Sequence, residues 1–173
     1  MRRTVGGAGA RSLSMGTGRK QGEMRTMASL AVQTRTGVRA EAAPLELWER
    51  VYAADPAASL SHSPAWMEAL TRISRWHNAT RAYTTADGRQ FVLPLARRGI
   101  GSTATAYASL PAGWGMGGVV GADPLRPQDA RAIRDDLRSL GAASVRILPN
   151  PLTSAAWQSS LEPTDHTLMR YAH

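Results

Sequence analysis

A strand that is apolar on both faces must lie between two covering layers, and FVLPL (residues 91–95) is such a strand. Side chains alternate across a sheet, so a half-exposed strand shows a polar residue at every second position, and this run shows none. It follows Asp87-Gly88, a dipeptide that turns hairpins, and NATRAYTT (78–85) leads into that turn with strand composition. The expected centre of the fold is therefore a hairpin whose second strand is covered on both sides. Pro94 removes one ladder donor, which predicts a bulge or an irregular edge there.

Helices are available to cover it. Pro44 opens PLELWERVYAADP, where Leu47, Trp48, Val51 and Tyr52 share one face and Asp55-Pro56 ends the run. In SPAWMEALTRIS, Ser63 is placed to cap, Pro64 suits the first helical position, and Trp66, Leu70 and Ile73 form the expected buried stripe. RPQDARAIRDDLRSLG has the clearest helical period: Ala130, Ile133, Leu137 and Leu140 recur at three and four, and Gly141 is placed to end it. Asp135 and Asp136 read as its solvated face, with Arg131 and Asp135 spaced to pair. SAAWQSSLEP reads as a short helix. Strands are expected in SLAVQTRTGV (29–38), TATAYASLP (103–111), ASVRILP (143–149) and DHTLMRY (165–171).

The order β–α–α–β–β–β–α–β–α–β predicts an α/β (α+β) domain with a mixed, mainly antiparallel sheet and helices packed on it. A doubly wound dinucleotide fold needs a strand, a glycine loop and a helix at its start, and that pattern is absent. The 173 residues suit one such domain, expected over 29–173.

Residues 1–28 read as a disordered basic tail or as sequence ahead of the true start, with Met15, Met24 and Met27 as other initiators. The first 25 residues carry a net charge of +5, leaving +3 of the total +8 for the rest. Basicity as a signal of nucleic-acid binding thus sits mainly in the tail. There is no cysteine, which excludes disulfides, thiolate zinc sites and iron–sulfur clusters. No apolar run is long enough for a transmembrane helix, and no apolar stretch follows the first arginines as in a signal peptide. A cytoplasmic location is expected.

SLPAGWGMGGVVGADP (109–124) holds five glycines in sixteen residues. A phosphate loop of the NTPase kind needs a following Lys and Ser/Thr at the head of a helix. This stretch has neither, and the chain's one lysine, Lys20, lies in the tail beside GTGRKQG. The glycines therefore shape a turn or let backbone approach a substrate closely. Trp114, between Gly113 and Gly115, lies outside any periodic run. It reads as a mobile wall whose replacement by alanine costs about 1 kcal/mol or less. His62, His77, His166 and His173 lack metal-pair spacing, and no metal site is expected. No serine, histidine and carboxylate form a recognisable triad, and no catalytic base is assigned. Tryptophans 48, 66 and 157 fall at core-facing positions.

The succession SHSPAWMEAL, ADGRQFVLPLARR, SLPAGWGMGGVVG, a helix, SVRILPNP and DHTLMRY resembles the first domain of FemAB-like proteins of the GNAT acyltransferase superfamily. It covers about residues 43–171. The resemblance implies a GNAT-like sheet, half of a two-domain protein with substrate in or near the interdomain cleft, and transfer of an acyl or aminoacyl group to an amine. The donor it implies is acyl-coenzyme A or aminoacyl-tRNA, with tRNA then a carrier. The acceptor is a small-molecule or peptidoglycan-precursor amine. The Arg/Gln-x-x-Gly-x-Gly/Ala loop that binds coenzyme A in ordinary GNAT enzymes is not evident. The expected substrate-binding residues are Tyr107, Ser109, Trp114, Gly117, Gly118 and Asn150. Two other readings accompany this one: a non-catalytic module that self-associates or binds a partner, and nucleic-acid binding through the tail.

Overall fold

The computed structural model describes Val32, Gln33 and residues 37–166. The basic tail, most of the last expected strand, Lys20 and His173 lie outside the described residues. The fold is mixed α/β, with antiparallel pairing throughout except for one parallel pair.

Strands β1 (Val32–Gln33) and β2 (Arg39–Ala42) precede helices α1 (Leu45–Ala54) and α2 (Pro64–Ile73). Then come β3 (His77–Asn78), β4 (Arg81–Thr84), β5 (Gln90–Leu93), β6 (Ala96–Ile100) and β7 (Ala104–Ala108). Helix α3 (Pro127–Ser139), strand β8 (Ser144–Arg146) and the short helix α4 (Ser154–Gln158) complete the order. The sheets run β1-β2-β4-β5 and β3-β6-β7-β8, with β8 parallel to β7 after the α3 crossover. Strand β2 lies just beyond the strand expected over 29–38 and was not expected.

The two sheets share one long hairpin. Arg81 faces Leu93 and Asn78 faces Ala96, so the register is the same on both sides of the break. No residue is inserted, so of the bulge or irregular edge expected at Pro94 there is no bulge, and the ladder is interrupted instead. The interruption covers Thr80/Pro94 and Ala79/Leu95, where one of the two main-chain bonds is replaced by a side-chain one, and the sheet divides there. Ala79 N–H still donates to the Leu95 carbonyl at 2.8 Å, and Leu95 N–H donates to Thr80 Oγ1 at 3.3 Å.

FVLPL is covered on both sides. Phe91, Leu93 and Leu95 pack with Tyr83, Ile133, Leu137 and Trp157 under α3 and α4. Val92 packs the other way, with Trp48, Val51, Met67, Leu70 and Leu110 under α1 and α2. Each fully buried side chain of this size contributes about 1.5–3 kcal/mol. On α2 the expected stripe is corrected. Met67 and Leu70 are buried, Trp66 is half-buried, and Ile73, at the last helical position, is 73% exposed. Ser63 caps the helix as expected, accepting from Trp66 N–H.

Helix α3 departs from the reading of its acids. Asp135 is exposed, but Asp136 is buried and accepts two bonds from Arg81 at 2.5 and 2.7 Å. Asp135 pairs with Arg134 rather than Arg131. Seven residues before Asp136, on the same helix face, Asp129 accepts a second two-pronged bond from Arg89 at 2.6 and 3.0 Å. Two buried ion pairs thus fasten α3 to the hairpin.

The hairpin turn carries its own acid sensitivity. The Thr85 hydroxyl, and after it Arg89, hold the Asp87 carboxyl down at about 2. The folded value lies below the ordinary one, so the contribution is present above about pH 4 and lost as pH falls toward 2. Asp87→Asn is expected to flatten the dependence of stability on pH across that interval and to lower stability at neutral pH, where the contribution of the carboxylate is present. Urea midpoints measured between those limits check this.

Candidate functional site

The glycine stretch crosses from β7 to α3 and fills the seam between the two sheets. At one end it meets the point where β7 and β8 part. Ser109 N–H donates to the Arg146 carbonyl at 2.9 Å, and Ser109 Oγ then accepts from Leu148 N–H at 2.9 Å. A side chain thus replaces the next rung of the parallel ladder. At the other end Val120 pairs with Val92, N–H to carbonyl in both directions, at 2.8 and 2.9 Å. The stretch therefore finishes as a one-residue strand on the edge of β5.

Between these anchors the loop is tied through its carbonyl oxygens. Trp66 Nε1 donates to the Trp114 carbonyl at 2.9 Å, Ser61 Oγ to Met116 at 2.6 Å, and His62 Nε2 to Gly117 at 3.0 Å. His62 is buried, and its Nδ1 accepts from Ser59 N–H at 3.0 Å, which places the ring proton on Nε2. Both nitrogens are engaged, so this histidine is a loop anchor. Ser61 and His62 were not expected at the site. Their signal in the sequence is the polar run Ser59–Ser63 before a helix, which reads equally as a cap.

The amides behave differently from the carbonyls. Among the described residues, the N–H groups of Gly115, Met116, Gly117, Gly118 and Val119 have no acceptor, although Gly117, Gly118 and Val119 are buried. More than nine in ten buried backbone N–H groups in folded proteins are paired. Gly115 and Met116 are exposed, so water can serve their amides, whereas Gly117 to Val119 are buried amides with no acceptor among the described residues.

Four of the six expected site residues come together here. Ser109 is fully buried beneath Gly117, where an added Cβ would lie 2.5 Å from Ser109 Oγ. Gly118 presses on Pro149 and Asn150, whose side chain accepts from Leu152 N–H at 3.0 Å and donates to the Ala57 carbonyl at 3.1 Å. Tyr107 stands apart, half-buried against the core under α3. Trp114 lies next to the group as part of a packed pair, its ring 6.2 Å from that of Trp66 and 70° to it. It is half-buried against the α1/α2 core, not a free wall. Trp114→Ala is accordingly expected to cost about 2 kcal/mol, between a surface change and a core truncation. Denaturant unfolding followed by circular dichroism measures this without depending on the lost fluorophore.

Beside Val119 and Gly121 opens a cleft of about 190 Å³, lined by Asp55, Phe91, Val119, Asp123, Leu125 and Asn150 among others. Phe91, Val119 and Leu125 give it an apolar floor. Asp55 is fixed at its rim by accepting from Ala57 N–H at 2.8 Å and Gly121 N–H at 3.0 Å. Val119 thus belongs both to the run of amides and to the cleft. No group of side chains among the described residues has the make-up of a metal site. No described helix is long and apolar enough to cross a membrane.

No protein-family model, curated protein or solved structure matches the chain.

Proposed function

We propose that the chain is an acyltransferase-type domain that takes part in moving an acyl or aminoacyl group to an amine. One observation carries the reading: the five acceptor-free amides from Gly115 to Val119. When an amine nitrogen attacks an acyl carbon, negative charge gathers on the acyl oxygen. Fixed backbone donors stabilise that charge without reorganising. The C–N bond forms, the thioester C–S or ester C–O bond of the donor breaks, and the amine proton passes to solvent. No enzyme nucleophile is needed, in keeping with a chain that has no cysteine.

The cleft at Val119 supports the acceptor side of the same reading. Its apolar floor and its carboxylates, Asp55 and Asp123, match an aliphatic amine that binds as an ammonium ion. The sequence resemblance to FemAB-like proteins of the GNAT superfamily supports the reaction class. It adds acyl-coenzyme A or aminoacyl-tRNA as donor, a small-molecule or peptidoglycan-precursor amine as acceptor, a cytoplasmic setting, and a second similar domain that completes the site. Acyl transfer to amines is the assay, run with the chain alone and with a second domain of this type joined to it. The reading predicts negligible turnover for the first and measurable turnover for the second. Robust turnover by the chain alone would remove the two-domain requirement, and none in either would overturn the assignment.

A further inference from the structure

We infer that the β3/β6 edge of the second sheet is a docking surface for anionic lipid headgroups. Charge is segregated in this chain. No Asp or Glu occurs between Glu68 and Asp87 or between Asp87 and Asp123, a span that holds all of β3, β6 and β7. Elsewhere, seven described arginines each meet a carboxylate, and Arg50, Arg131 and Arg146, which do not, lie singly on other elements. At this edge Arg75 and Arg97 are exposed and have no partner among the described residues, and Arg98 meets only the face of Trp76, 4.7 Å from the ring centroid.

The edge exists because β3 is short. It pairs with β6 only at Ala96 and Arg97, so Arg98 to Ile100 have no strand on that side among the described residues. Arg97 and Arg98 point to opposite faces of the sheet and straddle the edge. Apolar side chains accompany the charges. Ile73, at the end of α2, is 73% exposed, and Ile100, at the start of the β6–β7 turn, is 43% exposed. Ile100 lies on the same face as Arg98, which stacks on Trp76. Arginines beside a tryptophan and protruding aliphatic tips suit the boundary between headgroups and acyl chains. Charge draws the edge to an anionic leaflet, and the isoleucines hold it there. A nucleic-acid backbone would use the arginines but has no use for two exposed isoleucines.

Flotation of the full chain with phosphatidylcholine vesicles, with and without phosphatidylserine, tests this. Binding is expected only where phosphatidylserine is present and is expected to fall as salt rises. The pair Arg75→Gln and Arg97→Gln, both exposed positions, is expected to lower the partition coefficient roughly tenfold, and Arg75→Lys with Arg97→Lys to restore it. Ile100→Ser is expected to weaken binding further, with an unchanged circular dichroism spectrum. Because all variants keep the basic tail, they isolate the edge from it. Equal flotation of the glutamine variant and the parent, equal binding to vesicles without phosphatidylserine, or binding to single-stranded RNA but to no vesicle would each overturn the assignment.

Discussion

Asp136→Ala is expected to destabilise the chain by about 3 kcal/mol, among the largest losses that one side chain can produce here. Asp136 is 2% exposed and receives three donors: Arg81 Nε and NH2 at 2.5 and 2.7 Å, and Tyr83 OH at 2.9 Å. Alanine leaves the Arg81 guanidinium, whose side chain is only 16% exposed, without a counter-charge, and leaves a buried phenol without an acceptor. In the parent, burial, and next to it the Asp136 charge, push the Tyr83 hydroxyl well above its usual range, so it stays a neutral donor to Asp136. Tyr83→Phe removes one bond alone and is expected to cost about 1 kcal/mol. Urea unfolding of the parent and both variants gives the comparison. A loss below 1 kcal/mol for Asp136→Ala would mean that the pair does not fasten α3 to the hairpin.

Gly118→Ala is expected to cost roughly 2–4 kcal/mol by two separate mechanisms. Gly118 has φ of +105°, where any side chain strains the backbone by about 1–3 kcal/mol. Its added Cβ would also sit 2.9 Å from Asn150 N and 3.0 Å from Pro149 Cα, backbone atoms that cannot swing aside. Gly113 separates the two effects. It has φ of +87° with nothing within 4 Å of an added Cβ, so Gly113→Ala is expected to show the backbone part alone. If the two variants lose the same stability, the loop is not wedged against Pro149 and Asn150.

The hairpin, the helices and the double coverage of FVLPL were legible because each follows from local chemistry: a turn dipeptide, a proline at a helix start, an apolar run without alternation. What stayed hidden depends on partners far along the chain. Asp136 and Asp135 are neighbours in an acidic run. Only the seven-residue spacing from Asp129, in step with Ile133 and Leu137, marks Asp136 as inward-facing. That two arginines of the hairpin would meet those acids is a matter of tertiary register. Trp114 looked free because flanking glycines give no period, yet its partner Trp66 lies 48 residues away. Tyr107, Ser109 and Asn150 were named as polar residues near strand ends and Gly117 and Gly118 as part of a glycine loop, but which of them would lie together was not legible. Nor was the inward aim of the loop's carbonyls, since nothing in a glycine run says which way its peptide groups turn.

The amides of Gly115 to Val119 can be watched directly. A ¹H–¹⁵N correlation spectrum of the labelled chain, titrated with acetyl-coenzyme A and in a second series with an aminoacyl-tRNA, reports on each N–H separately. One donor is expected to shift these five amides downfield, as N–H groups that gain an acceptor do. The already bonded amides of Trp114, Val120 and Gly121 should move far less. Saturating titrations that leave all five unmoved would contradict the assignment of this loop as the donor-side site.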